Sequence, residues 1–125
     1  MLERQKTVLV IDDDKLNLKL FISMIHLTQY RAVGAEDALS GIRLAKKLIP
    51  DLILMDICMP GVDGISAIKI IKSDPEIKDV PIIAVTGMSS QDIKEAAINA
   101  GCVKVITKPV FIEPFLEKIS AYLVP

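Results

Sequence analysis

The sequence predicts an α/β domain, a five-stranded parallel sheet doubly wound with five helices. Two patterns carry that expectation. Short apolar or β-branched runs alternate with stretches of helical periodicity along the whole chain. Such alternation needs right-handed crossovers and helices on both faces of a parallel sheet. The run Leu52 to Met55 is apolar without interruption and leads directly into Asp56. An unbroken run fits a strand buried on both faces, and ligands gather at the carboxyl edge of such sheets.

Each element can be read in turn. Thr7 to Ile11 is a β-branched strand that ends in Asp12, Asp13 and Asp14. From Leu16 to Leu27, the residues Leu16, Leu20, Met24 and Leu27 recur at helical spacing, with Phe21 and Ile25 widening the inward stripe. Asp14 is placed to cap that helix. Tyr30 to Val33 is the second strand, and Asp37 caps a helix with Leu39, Ile42, Ala45 and Leu48 on one side. Pro50 ends it.

After the third strand, Pro60-Gly61 marks a turn, and Gly64 opens a helix carrying Ile65, Ile68 and Ile71 that closes near Asp74-Pro75. Pro81 to Val85 is the fourth strand and runs into Thr86-Gly87. Ser89 or Ser90 caps a short helix through Ala100, with Gly101 just past its end. Val103 to Ile106 is the fifth strand, followed by Thr107-Lys108-Pro109. A last helix has Pro114 in its first turn and Phe115, Ile119 and Leu123 inward.

Composition narrows the class. The 125 residues suit one domain over residues 1–125. Half are hydrophobic, yet no run approaches a membrane span. The mixed charges of residues 1–6 do not read as a signal peptide. A net charge of −1 with interspersed signs offers no electrostatic case for nucleic acid or an anionic membrane. Cys58 and Cys102 are the only cysteines, and reduced thiols in a cytoplasmic protein are expected. Both read as small, partly buried side chains. Asp63, Asp74 and Asp79 read as solvated loop acids, Asp14 as a cap, and His26 as a residue on the polar side of its helix.

In a parallel sheet, the strand ends share one edge, so Asp12, Asp13, Asp56, Thr86 and Lys108 converge. Two unit charges about 4 Å apart cost on the order of 4 kcal/mol at an effective dielectric near 20. Two features can offset that repulsion: the fixed charge of Lys108, or a divalent cation on carboxylate oxygens. An all-oxygen set suits Mg²⁺ or Mn²⁺ better than zinc. Such an edge is built to hold a tetrahedral dianion. Asp56 can act as the nucleophile and form an aspartyl-phosphate. Thr86 can donate to a phosphoryl oxygen, and Gly87 leaves the approach open.

The whole chain resembles the receiver domain of two-component response regulators, the family of single-domain chemotaxis and cell-division regulators. The resemblance is carried by Val-Leu-Val-Ile-Asp12-Asp13-Asp14, by Leu-Ile-Leu-Met-Asp56-Ile-Cys-Met-Pro60-Gly-Val-Asp-Gly64, by Ala-Val-Thr86-Gly87 and by Thr-Lys108-Pro109. Thr86 follows Asp56 by 30 residues and Lys108 follows Thr86 by 22, as in the family.

The resemblance implies a flavodoxin-like strand order 2-1-3-4-5 and a phosphorelay switch rather than an enzyme. Asp56 would accept a phosphoryl group from a histidine kinase or a histidine phosphotransfer protein. Asp13 and Asp56 would hold Mg²⁺ directly and Asp12 through water. The Cys58 backbone carbonyl would complete the set, leaving its side chain free to vary. Lys108 would contact the phosphoryl group through a cis bond to Pro109, and Thr86 would move towards it. The family commonly places Tyr or Phe three residues before the lysine, where this chain has Val105. A backbone shift of the fourth helix is then the expected readout.

With the chain ending at Pro125, output through protein contact is expected, at the face of helix four, strand five and helix five. Lys94, Asn99, Lys104 and Glu113 are its candidates. Asn17 and Phe21 on the first helix mark the kinase-docking side. Two other readings compete. One is a small Mg²⁺-dependent phosphohydrolase with an Asp nucleophile, similar to haloacid dehalogenases, suggested by Asp12-Asp13-Asp14. That family also needs a later acid pair, and no later strand end here carries one. The other is a receiver cut from a hybrid histidine kinase, against which Met1 and the short flanks argue.

Overall fold

The computed structural model of the chain describes residues 4–58, 63–88 and 90–124. Its elements alternate as β1 (Thr7–Ile11), α1 (Lys15–Ile25), β2 (Arg31–Ala35), α2 (Ala38–Leu48) and β3 (Leu52–Asp56). They continue as α3 (Gly64–Ser73), β4 (Ile82–Thr86), α4 (Gln91–Ala100), β5 (Lys104–Thr107) and α5 (Ile112–Ser120). The strands form one parallel sheet in the order β2-β1-β3-β4-β5, the order that the family resemblance implies.

Every residue of β1, β3 and β4 is buried, as their continuous apolar runs require. Alternate side chains serve opposite faces. Leu9, Ile11, Ile53, Met55, Ile82 and Ala84 join one core with Ala67, Ile68 and Ile71 of α3 and Ala97 of α4. Val8, Val10, Leu52, Leu54, Ile83 and Val85 join the other with Phe21, Met24 and Ile25 of α1 and Phe115 and Ile119 of α5. The Phe21 and Phe115 rings, 5.3 Å between centroids, tie α1 to α5.

The helix faces differ from expectation in two places. In α1 the buried residues are Leu18, Phe21, Met24 and Ile25, whereas Leu16, Leu20 and Leu27 are exposed. Two leucine-bearing faces compete on this segment. The helix ends at Ile25 with His26 as its cap, which leaves Leu27 outside it. In α2 the inward residues are small: Ala38, Gly41 and Ala45. A Cβ on Gly41 would come within 2.4 Å of Ile11 Cδ1, so the close approach to β1 selects small side chains and leaves Leu39 outside.

Helix ends follow the expected chemistry more closely. Asp14 accepts from Leu16 and Asn17 N–H, Asp37 from Ser40, and Ser90 from Ile93. Asp63 is no idle loop acid, since it caps α3 through Ser66 N–H at 2.8 Å. Asp74 accepts from Glu76 N–H and pairs with Lys46 at 3.1 Å; Asp79 is exposed. His26 Nε2 accepts from Ala32 N–H at 3.4 Å. Pro60 and Ser89 lie outside the described residues.

Strands two, four and five begin one residue later than the apolar runs suggest. Pro81 precedes β4 yet still contributes its carbonyl, which accepts from Ile53 N–H at 3.0 Å. Val103 likewise donates to the Ile82 carbonyl before β5 begins.

Candidate functional site

Parallel register brings the strand ends to one edge. Asp56, the last residue of β3, pairs with Val85 of β4, and Thr86 pairs with Thr107 of β5. Asp12 lies one residue past β1, and its N–H still donates to the Ala35 carbonyl at the end of β2. Lys108 follows β5 and donates its N–H to the Thr86 carbonyl at 2.7 Å. The peptide that follows, Lys108–Pro109, is cis.

One carboxylate oxygen from each of Asp12, Asp13 and Asp56 falls within 4.8 Å of the others. Asp12 and Asp56 are buried, at 1% and 6% exposure, whereas Asp13 is exposed. Asp12 Oδ1 accepts from Asp14 N–H at 2.9 Å, but buried Oδ2 has no hydrogen-bond partner among the described residues. Asp56 Oδ1 accepts from Cys58 N–H at 3.0 Å, while Oδ2 faces Lys108 Nζ at 3.8 Å. Burial pushes the Asp12 carboxyl up to about 6, and the nearby negative charge of Asp56 adds to the rise. The Asp14 N–H and the Lys108 ammonium pull it back only in part. A cluster of hard oxygens with one buried oxygen lacking a donor fits a divalent cation.

Thr86 is fully buried beside this cluster. Its hydroxyl oxygen accepts from Met88 N–H at 3.0 Å and lies 3.6 Å from Cys58 Sγ. That contact falls outside the sequence reading, which left the Cys58 side chain free to vary. Cys58 itself is exposed and Cys102 is buried. At Gly87 no atom of the described residues lies within 4 Å of an added Cβ. At Gly64, by contrast, a Cβ would come within 2.2 Å of Ile57 Cα and 2.7 Å of the Asp56 carbonyl oxygen. Gly64 is required by this close approach. Val105 is half-buried against the core shared by α2, α3 and α4.

Beside the acidic cluster, a groove of about 300 Å³ runs between α1 and the segment Lys108 to Val110. Asn17 and the exposed Leu20 line it. Phe21, expected as a docking residue, is 5% exposed and belongs to the core. Of the residues named for the face of α4, β5 and α5, Asn99 and Glu113 are exposed, whereas Lys94 and Lys104 are half-buried.

The family model for the response regulator receiver domain matches residues 8–120. The polar-differentiation response regulator DivK of Brucella anthropi is 37% identical over 118 residues, covering 94% of this chain and 96% of that protein. The receiver domain of a sensor histidine kinase from Pseudomonas aeruginosa, which coordinates magnesium in its active-site cleft, superposes with a TM-score of 0.88. It is 27% identical, and the match covers 96% of this chain and 98% of that one. Vibrio cholerae chemotaxis protein CheY4 shares the fold, with a TM-score of 0.90 at 23% identity over 95% of this chain and 99% of that one. No helix among the described residues is long and apolar enough to cross a membrane. On the family match and the identity to DivK, the chain belongs to the response regulator receiver domains, the signalling switches of two-component systems.

Proposed function

We propose that Asp56 is the phosphoacceptor of this switch and takes its phosphoryl group from a phosphohistidine on a histidine kinase or histidine phosphotransfer protein. The observation that carries the reading is the meeting of Asp12, Asp13 and Asp56 within 4.8 Å, with Lys108 Nζ 3.8 Å from Asp56 Oδ2. The Cys58 N–H holds Oδ1 of Asp56 and leaves Oδ2 as the attacking oxygen. A P–O bond forms to Oδ2 as the P–N bond breaks, and the imidazole nitrogen keeps the electron pair. Lys108 balances charge on the phosphoryl oxygens. Thr86 moves with its loop away from Cys58 and donates its hydroxyl to one of them.

Asp13 and Asp56 would hold Mg²⁺ directly, Asp12 through water, and the Cys58 carbonyl would complete the protein ligands. Mn²⁺ suits the same oxygens. When bound, the ion neutralises phosphoryl charge. Acetyl phosphate serves as a donor through the same attack, its P–O bond breaking as acetate leaves, and water hydrolyses the aspartyl-phosphate, releasing inorganic phosphate and regenerating the carboxylate.

The setting is cytoplasmic, and the output is protein contact at the face of α4, β5 and α5, through Lys94, Asn99, Lys104 and Glu113. Val105 carries no ring, so the readout is a shift of α4 in packing and backbone. Phosphorylation biases that shift only through its different free energy in the two states. Gly87 and Pro109 shape the loops beside Thr86 and Lys108, and Gly64 lets the start of α3 approach the backbone of Asp56.

Incubation with acetyl phosphate and Mg²⁺, followed by mapping of the hydroxylamine-labile adduct, tests the reading. Label on Asp56 is expected. Label on Asp12 would instead indicate the phosphohydrolase chemistry.

A further inference from the structure

We propose that the Cys58 thiol is a positioning residue that holds Thr86 in its resting orientation, so that this contact sets how readily the chain enters the phosphoryl-bound state. The second half rests on the phosphoacceptor role of Asp56; the first does not.

Thr86 is fully buried, and a buried hydroxyl needs partners. Its oxygen has two among the described residues: Met88 N–H at 3.0 Å and Cys58 Sγ at 3.6 Å. The first is local, two residues along the chain, and travels with the loop when the loop moves. The second spans 28 residues and ties the end of β4 to the segment after β3. Of the two partners of the hydroxyl, the thiol is the one that resists displacement of the loop as a whole. Cys58 also touches the phosphoacceptor, since its N–H donates to Asp56 Oδ1 at 3.0 Å. One residue therefore meets Asp56 through its backbone and Thr86 through its side chain. A thiol is a weak donor and a weak acceptor, which makes the hold easy to release.

The Thr86 hydroxyl has a single proton, and with Cys58 Sγ as its acceptor the thiol contact must break before that proton can go to a phosphoryl oxygen on Asp56. Loss of the contact lowers the cost of leaving the resting state and raises apparent affinity for a phosphoryl analogue.

The test uses the full chain and Cys58→Ala, a change at an exposed side chain. NMR couplings report the χ1 populations of Thr86 without phosphoryl group or Mg²⁺. One rotamer is expected in the parent and a mixture in Cys58→Ala; a single unchanged rotamer overturns the hold. Beryllofluoride titration with Mg²⁺ should then show affinity raised roughly two- to threefold by Cys58→Ala. Equal or weaker affinity overturns the coupling, as does the same gain in a Thr86→Val background. Failure of the parent to bind beryllofluoride would count against the phosphoacceptor role, while the Thr86 rotamers judge the hold by themselves.

Discussion

Lys108 Nζ stands 4.0 Å from Asp12 Oδ2, a charge contact that is too long for a hydrogen bond. The same ammonium lies 3.8 Å from Asp56 Oδ2. Among the described residues, three converging carboxylates meet one lysine, and the cluster by itself carries surplus negative charge. Removing one carboxylate should relieve it. Asp56→Asn keeps the side-chain shape and the acceptor for Cys58 N–H. It should stabilise the metal-free chain by about 1–2 kcal/mol and abolish phosphoryl uptake. Urea denaturation and acetyl phosphate labelling check both, and a loss of stability would show that repulsion does not dominate at this edge.

The pH response follows from Asp12, whose carboxyl is raised from 3.8 to about 6. The folded chain then binds this proton more tightly than the unfolded chain does. Between about pH 4 and 6 the native state carries more protons, so this residue's contribution to stability falls as pH rises and levels off above about 6. Asp12→Asn should remove the slope, which urea midpoints of the two chains across that range would reveal. Because a cation needs the ionised carboxylate, Mg²⁺ affinity should weaken below about pH 6. Calorimetry or NMR measures that, the chain having no Trp for fluorescence quenching.

Lys108→Ala tests whether the ammonium couples phosphorylation to movement. Asp56 remains able to attack, so slow labelling by acetyl phosphate should persist. Thr86 then lacks the phosphoryl position that Lys108 fixes. Beryllofluoride-dependent NMR shifts in α4 and β5 should fall to less than about half of the parent's. Shifts of full size would assign the coupling elsewhere.

The sheet edge was legible because β1, β3 and β4 are short buried runs that lead at once into Asp12, Asp56 and Thr86. Register does the rest, and Asp12, Asp56, Thr86 and Lys108 meet as their chain positions imply. The helices were less legible. In α1, Leu16 and Leu20 match a helical period as well as Leu18 and Phe21 do, and only packing against the sheet chooses between them. In α2, the approach to Ile11 favours Gly41 over larger residues, a preference that hydrophobicity does not encode. Asp63 and Asp74 were misread because a cap and a loop acid look alike until the neighbouring N–H groups are placed. The Cys58 contact with Thr86 joins two loops, and no local pattern announces it.

Gly64 offers the sharpest test of how the site is braced. A Cβ there would lie 2.2 Å from Ile57 Cα and 2.7 Å from the Asp56 carbonyl oxygen, both backbone atoms that no rotamer change can clear. Gly64→Ala must push α3 away from β3 or displace the backbone that carries Asp56. A loss of about 1–3 kcal/mol is expected, together with slower acetyl phosphate labelling because the carboxylate leaves its place beside Lys108. Gly87→Ala is the control: its added methyl meets no atom of the described residues within 4 Å, and stability should stay within about 0.5 kcal/mol of the parent. Urea denaturation of both variants decides the matter. Equal stabilities would mean that the start of α3 yields freely and that Asp56 is positioned by its strand alone.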